Sequence, residues 1–205
     1  MLKTKKAFTL AEVLITLLII GIVSAMIIPP LKSVIGDLQY KSSYRQAFAE
    51  ATQVWQRMNT EDLIKATAGE YDPNALTANF AQFVKFFSVQ ATCSTLDSAA
   101  NCWDINAEKW ANLDMSTAAS TRGFIDNSGK AWLFAACYGP IQIFIDVNGF
   151  KGPNKYGKDR FVLKALTSDD KAGPGYPIKL VPLEDVKTSN SLCHYPPCYY
   201  KTWLK

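Results

Sequence analysis

The chain has 205 residues, 48% hydrophobic and 12% aromatic, enough for one sizeable core plus an appendage and too apolar for a disordered chain. Its formal net charge of +4 does not make it a nucleic-acid binder. Setting aside Lys3, Lys5 and Lys6, which precede a long apolar run, leaves 19 of the 22 basic residues against 18 acidic ones, so no basic field remains to collect phosphates and no nucleic-acid partner is expected.

From Val13 to Leu31, 19 residues pass without a charge. As a helix they span about 28 Å, close to the ~30 Å hydrocarbon core of a bilayer. The lysines ahead of them predict a cytoplasmic N-terminus and an outward-facing remainder. Glu12 is out of place in this setting, because an unpaired acid near the start of a membrane segment costs roughly 2.5 kcal/mol or more. An ordinary secretory signal cut after Val23-Ser24-Ala25 has no use for it, and neither has a permanent single-span anchor carrying a binding or adhesin head. A third reading gives it a role. Cleavage between Ala7 and Phe8 creates an ammonium group at Phe8, and on a neighbouring copy that ammonium is a counter-ion for a carboxylate held in a dry bundle. Glu12 then sets the stagger at which like helices stack.

The stretch Lys5-Lys6-Ala7 followed by Phe8-Thr9-Leu10-Ala11-Glu12, with Gly21 and Pro29 further on, resembles the N-terminal signature of type IV pilins and type II secretion pseudopilins. Ala7 stands where that family more usually has Gly. The resemblance implies an α+β, pilin-like fold: a long N-terminal helix, half of it transmembrane, packed on a small antiparallel β-sheet head. It implies a cleaved leader at 1–7, a transmembrane and filament-core helix at 8–31, and a head at 32–205 that includes the amphipathic half of the helix at 32–58. It also implies cutting and N-methylation at Phe8 by a prepilin peptidase, an inner-membrane assembly platform, and a homo- or hetero-polymer of pilin subunits. The precursor would sit in the bacterial inner membrane, and the product in an extracellular pilus or a periplasmic pseudopilus.

Pro29 and Pro30 lack amide donors and predict a kink or loosening of the helix. Beyond them, Leu31, Val34, Ile35 and Leu38, then Tyr44, Ala47, Phe48, Ala51, Val54, Trp55 and Met58, recur at amphipathic spacing. The long helix is therefore expected from about Thr9 to Met58, with Phe48, Val54 and Trp55 in the head's core. Asp72-Pro73 starts a second helix, expected over 73–88, with Leu76, Phe80, Phe83, Val84 and Phe87 on one face.

Residues 92–120 read as a loop-rich connection. Its close cysteine pair suits an oxidising compartment and a Cys93–Cys102 bridge, as Cys193–Cys198 does near the C-terminus, while Cys137 sits in an apolar run and reads as a small buried hydrophobe. Strands at Gly123-Phe124-Ile125, Lys130 to Cys137, Ile141 to Val147 and Arg160 to Leu166 form an antiparallel meander joined by Gly-containing turns. From Ser168 onward the sequence reads as an irregular arm.

The connection 146–161 concentrates side-chain oxygens. Asp146, Asn148, Asn154 and Asp159 with loop carbonyls are candidate calcium ligands, although the spacing is not that of an EF-hand. The competing reading is an elaborate strand connection in which Asn and Asp bond their own backbone. Cys193-His194-x-x-x-Cys198 lacks a fourth metal ligand at standard spacing and reads as a disulfide loop. With a single His, and neither a Gly-x-Ser-x-Gly elbow nor a His-Glu-x-x-His helix, no catalytic residues and no cofactor are expected. Tyr195, Tyr199, Tyr200 and Trp203 are read as a recognition patch or, with more weight, as packing.

Overall fold

The structure, a computed structural model, describes residues 9–65, 73–93, 102–104, 122–135, 141–166, 179–182 and 203–204, with the side chains of 30–34, 73 and 166 outside that description. The expected leader residues, Cys137, the Cys193–Cys198 pair, His194 and Tyr195, Tyr199 and Tyr200 lie outside the described residues. The chain divides into two compact units, Met1–Gln39 and Tyr40–Lys205.

Helix α1 runs over Leu10–Thr60, within two residues of its expected bounds. It continues through Pro29 and Pro30. A helical φ suits proline, and what the two prolines remove is the amide donors that would have met the carbonyls of Ala25 and Met26. In the first unit the side chains of Leu10–Pro29 are unburied within the chain, including large apolar ones such as Ile20 and Ile28. The second unit begins at Tyr40, and Ile35 and Leu38, counted in the apolar stripe, are exposed.

In the second unit the stripe is buried at Tyr44, Ala47, Ala51, Trp55 and Met58, with Phe48 and Val54 packed half-buried beside it. Helix α2, Pro73–Phe83, ends sooner than expected and tightens into a 3₁₀ turn at Val84–Phe86, where the Phe87 amide donates to the Val84 carbonyl at 3.1 Å. This turn keeps Phe83 and Phe87 together, their ring centroids 4.9 Å apart, before the chain becomes extended.

Six strands follow: β1 Val89–Cys93, β2 Arg122–Asp126, β3 Ala131–Ala135, β4 Gln142–Asp146, β5 Arg160–Leu166 and β6 Lys179–Pro182. They pair in chain order, all antiparallel. The first and last are additions to the expected meander. β1 lies between the expected second helix and the expected loop, entering the latter at Thr92 and Cys93, and β6 lies in the arm read as irregular.

One face of the sheet meets the helices. Tyr44 stacks on Phe161 at 3.7 Å between centroids, and Phe83 packs on Trp132 and Phe134. All five residues of β3 are buried, so its second face is covered too. Among the described residues, that face carries Tyr156, edge-on to Phe144, and the segment 102–104, tied to the end of β1 by the Cys93–Cys102 disulfide. Gly123 shows how close the packing is: a Cβ there would lie 2.5 Å from Leu133 Cδ2 and 2.9 Å from the Trp132 carbonyl oxygen. Gly123→Ala is therefore expected to lower the unfolding free energy by about 1–3 kcal/mol, since overpacking forces backbone to shift. Thermal or denaturant melting of the detergent-solubilised chain checks this, and an unchanged midpoint would contradict the packing described.

Candidate processing and assembly site

Helix α1 begins at Leu10, which makes Thr9 its N-cap and Glu12 the third residue of its first turn. The Thr9 amide donates to Glu12 Oε2 at 2.9 Å, the Thr9 hydroxyl donates to the same oxygen at 2.9 Å, and the Glu12 amide donates to Thr9 Oγ1 at 3.3 Å. This is a reciprocal capping box, in which two orphan amides of the first turn are met by the two side chains. Thr9-Leu10-Ala11-Glu12 is itself the Thr-x-x-Glu signature of a capped helix, and it supplies a partner within the chain.

The same economy holds one turn on, where the Thr16 hydroxyl donates to the Val13 carbonyl at 2.9 Å. Polar groups in the apolar segment are thus closed locally, as a hydrocarbon surrounding requires. Leu10–Pro29, 20 residues and about 30 Å as a helix, is long and apolar enough to cross a bilayer.

Residues 2–28 match the family described as the prokaryotic N-terminal methylation motif. This is the prepilin-type signal of type IV pilins and pseudopilins. It covers the N-terminal segment and not the head, and no curated protein and no solved structure matches the chain. Motif and apolar helix together support a membrane-anchored precursor, and the motif implies processing by prepilin peptidase and pilin polymerisation in general. Ala7 and Phe8, the expected cleavage residues, lie outside the described residues; Glu12 and Pro29 lie on α1.

In the head, the proposed calcium ligands meet protein partners. Asp159 accepts from the Asn154 amide through Oδ2 and the Lys155 amide through Oδ1, each at 2.7 Å. Asp146 accepts from Arg160 Nε at 2.8 Å and from the Asn148 amide at 3.3 Å. Asn154 Nδ2 donates to Asp104 Oδ2 at 2.9 Å and Asn148 Nδ2 to the Gly152 carbonyl at 3.1 Å. Two oxygens, Asn148 Oδ1 and Asn154 Oδ1, are buried without a hydrogen-bond partner. Among the described residues no group of three or more His, Cys, Asp or Glu side chains is placed to hold a metal ion.

These contacts form a clasp that the sequence reading did not find. Arg160 is fully buried, pairs with Asp146, donates to the Asp104 carbonyl at 3.1 Å, and lies 4.4 Å from the centroid of the Trp103 ring. It holds the disulfide-tethered segment onto the sheet. Burial pushes the Asp146 carboxyl up to about 7 against the opposing pull of Arg160, and burial also raises Asp159 against its amide donors. A carboxyl raised in the folded chain keeps a proton that the unfolded chain has shed, so this contribution is lost as pH climbs from near 4 to about 7.

On another side of the head, a groove of about 340 Å³ lies between α1 and the β2–β3 turn, lined by Gln46, Glu50, Gln53, Phe86, Asn127 and Lys130 among others. Lys130 is buried and sits 3.5 Å from Glu50 and 4.0 Å from Asp126.

Two outcomes follow from the two sites. Thr9→Val removes the hydroxyl from the capping box and is expected to raise the cost of inserting the segment by about 0.5–2 kcal/mol, with Thr9→Ser restoring it. The integrated fraction in a membrane-insertion assay reads this, and equal integration of all three chains would contradict the assignment. Arg160→Met orphans a buried acid and is expected to cost about 3–5 kcal/mol at pH 8 and less at pH 5, where Asp146 takes up a proton. Equal losses at the two pH values would overturn the clasp's electrostatics.

Proposed function

We propose that the chain is the precursor of a structural subunit of a type IV pilus or type II secretion pseudopilus. It is cut between Ala7 and Phe8, methylated at Phe8 and polymerised through its N-terminal helix, with no catalysis of its own. The observation that carries this reading is the methylation motif over residues 2–28 on a helix whose first turn holds Glu12. In the precursor Glu12 is closed by Thr9. In the polymer the new ammonium at Phe8 of an adjacent copy offers a full charge where Thr9 offers only dipoles, and a charge-assisted contact is the stronger one in a dry bundle. Pro29, within the same helix, leaves a carbonyl without its helical donor and supplies compliance between core and head.

The connection 146–160 is proposed to serve as a strand connection. A chelator is then expected to leave the melting temperature unchanged, whereas a rise on adding calcium would assign Asn148 and Asn154 to a cation. A second reading, a membrane-anchored binding protein, is favoured by the groove beside Lys130, whose volume is at the lower end of ligand pockets.

Glu12→Gln separates the two roles of the acid, because glutamine still accepts from the Thr9 amide but carries no charge. Insertion is expected to be unchanged, with assembly, measured by cross-linking of subunits in membranes, reduced about tenfold or more. Wild-type assembly of this variant would refute the charge pairing.

A further inference from the structure

Among the described residues from Tyr40 onward, one large apolar side chain stands exposed: Phe150, at 50%. It does not owe its exposure to a loose loop. Gly149 has φ +64 and its Cα lies against the β2–β3 turn, where an added Cβ would come within 2.6 Å of the Gly129 carbonyl oxygen. The Lys151 amide donates to the Asn148 carbonyl, and the Gly152 carbonyl accepts from both Asn148 Nδ2 and the Tyr40 hydroxyl, the latter at 3.3 Å. The turn is pinned on both sides, and it presents Phe150 outward.

Among the described residues of the connection, the exposed charge beside it is positive. Lys151 is exposed beside Phe150, whereas Lys155 and Lys158, in the same connection, are half-buried and engaged within the chain, and Lys41 is half-buried next to Tyr40 on α1. The carboxylates of the connection, Asp146 and Asp159, are buried and engaged by Arg160 and by backbone amides, and Asp104 accepts from Asn154. Asp37, four residues before Lys41, is the nearest acid along α1 and is half-buried.

We propose that the β4–β5 connection is a membrane-surface contact, in which Phe150 enters the interfacial region and Lys151 meets the phosphates of anionic phospholipids. This rests on the reading of the chain as a membrane-anchored precursor. Tyr40, which holds the loop, follows Pro29 at the end of the apolar segment by eleven residues, so the tether cannot exceed about 40 Å even fully extended, and is about 16 Å as helix. A tethered surface needs little intrinsic affinity, because the anchor supplies a high effective concentration of lipid. Each lysine near an anionic surface adds roughly fivefold to binding, and an aromatic side chain suits the headgroup level. The bilayer is also the partner present before any second subunit arrives.

The test is hydrogen exchange on the full-length chain reconstituted at one copy per nanodisc, in phosphatidylcholine alone or mixed with phosphatidylglycerol. Amides of 147–152 are expected to exchange about fivefold more slowly in the anionic discs. A Phe150→Ser, Lys151→Glu double variant with unchanged melting is expected to lose that difference. Equal exchange in the two lipids would overturn the proposal, as would protection that arises only with several copies per disc, which would assign the surface to subunit contact. Chain recovered apart from the discs would instead refute the anchoring on which the proposal rests.

Discussion

A carboxylate in the first turn of a helix clad in hydrocarbon side chains must be met by donors wherever that helix lies. Thr9 meets Glu12 twice, through its amide and its hydroxyl, and Glu12 returns the favour through its own amide. The acid is therefore tolerable in a single inserted chain, which an uncapped acid is not. On the proposed reading it is also held close to the place where trimming would create an ammonium group. One residue then serves insertion first and cohesion afterwards, by exchanging a local partner for a charged one on another copy.

The head solves a different problem. A sheet of six short strands has two faces to cover, and α1 and α2 reach only one of them. On the second lie Tyr156, edge-on to Phe144, and the segment 102–104, whose attachment is covalent at Cys102 and electrostatic at Arg160. A buried cation is costly to desolvate, and here its cost is offset by Asp146, the Asp104 carbonyl and the Trp103 ring together. That convergence explains why the 146–160 connection is rich in side-chain oxygens: most of those described are acceptors for neighbouring amides and for one guanidinium.

Local patterns were legible where burial repeats at a regular spacing. The apolar run between Arg160 and Leu166 gives the observed bounds of β5, and the stripe from Tyr44 to Met58 lies in the core of the head. The close cysteine pair likewise forms the Cys93–Cys102 bridge. β1 escaped because its three middle residues are exposed, so no alternation marks it, and β6 is four residues flanked by Pro- and Gly-rich sequence. Both are edge strands whose pairing is decided by a partner strand already in place. The clasp escaped for a related reason, since Arg160 and Asp104 are brought together by the fold and not by spacing. The capping box is legible in the sequence as Thr-x-x-Glu, four residues whose roles are set by spacing alone.

The account depends on a new amino terminus being made next to Glu12. Mass spectrometry of the N-terminal peptide, from chain isolated out of its own cell's membranes or filaments, tests this directly. The account predicts a polypeptide starting at Phe8 and carrying one methyl group on its amine. A polypeptide that retains Met1 to Ala7, or one that starts at Met26, would contradict it.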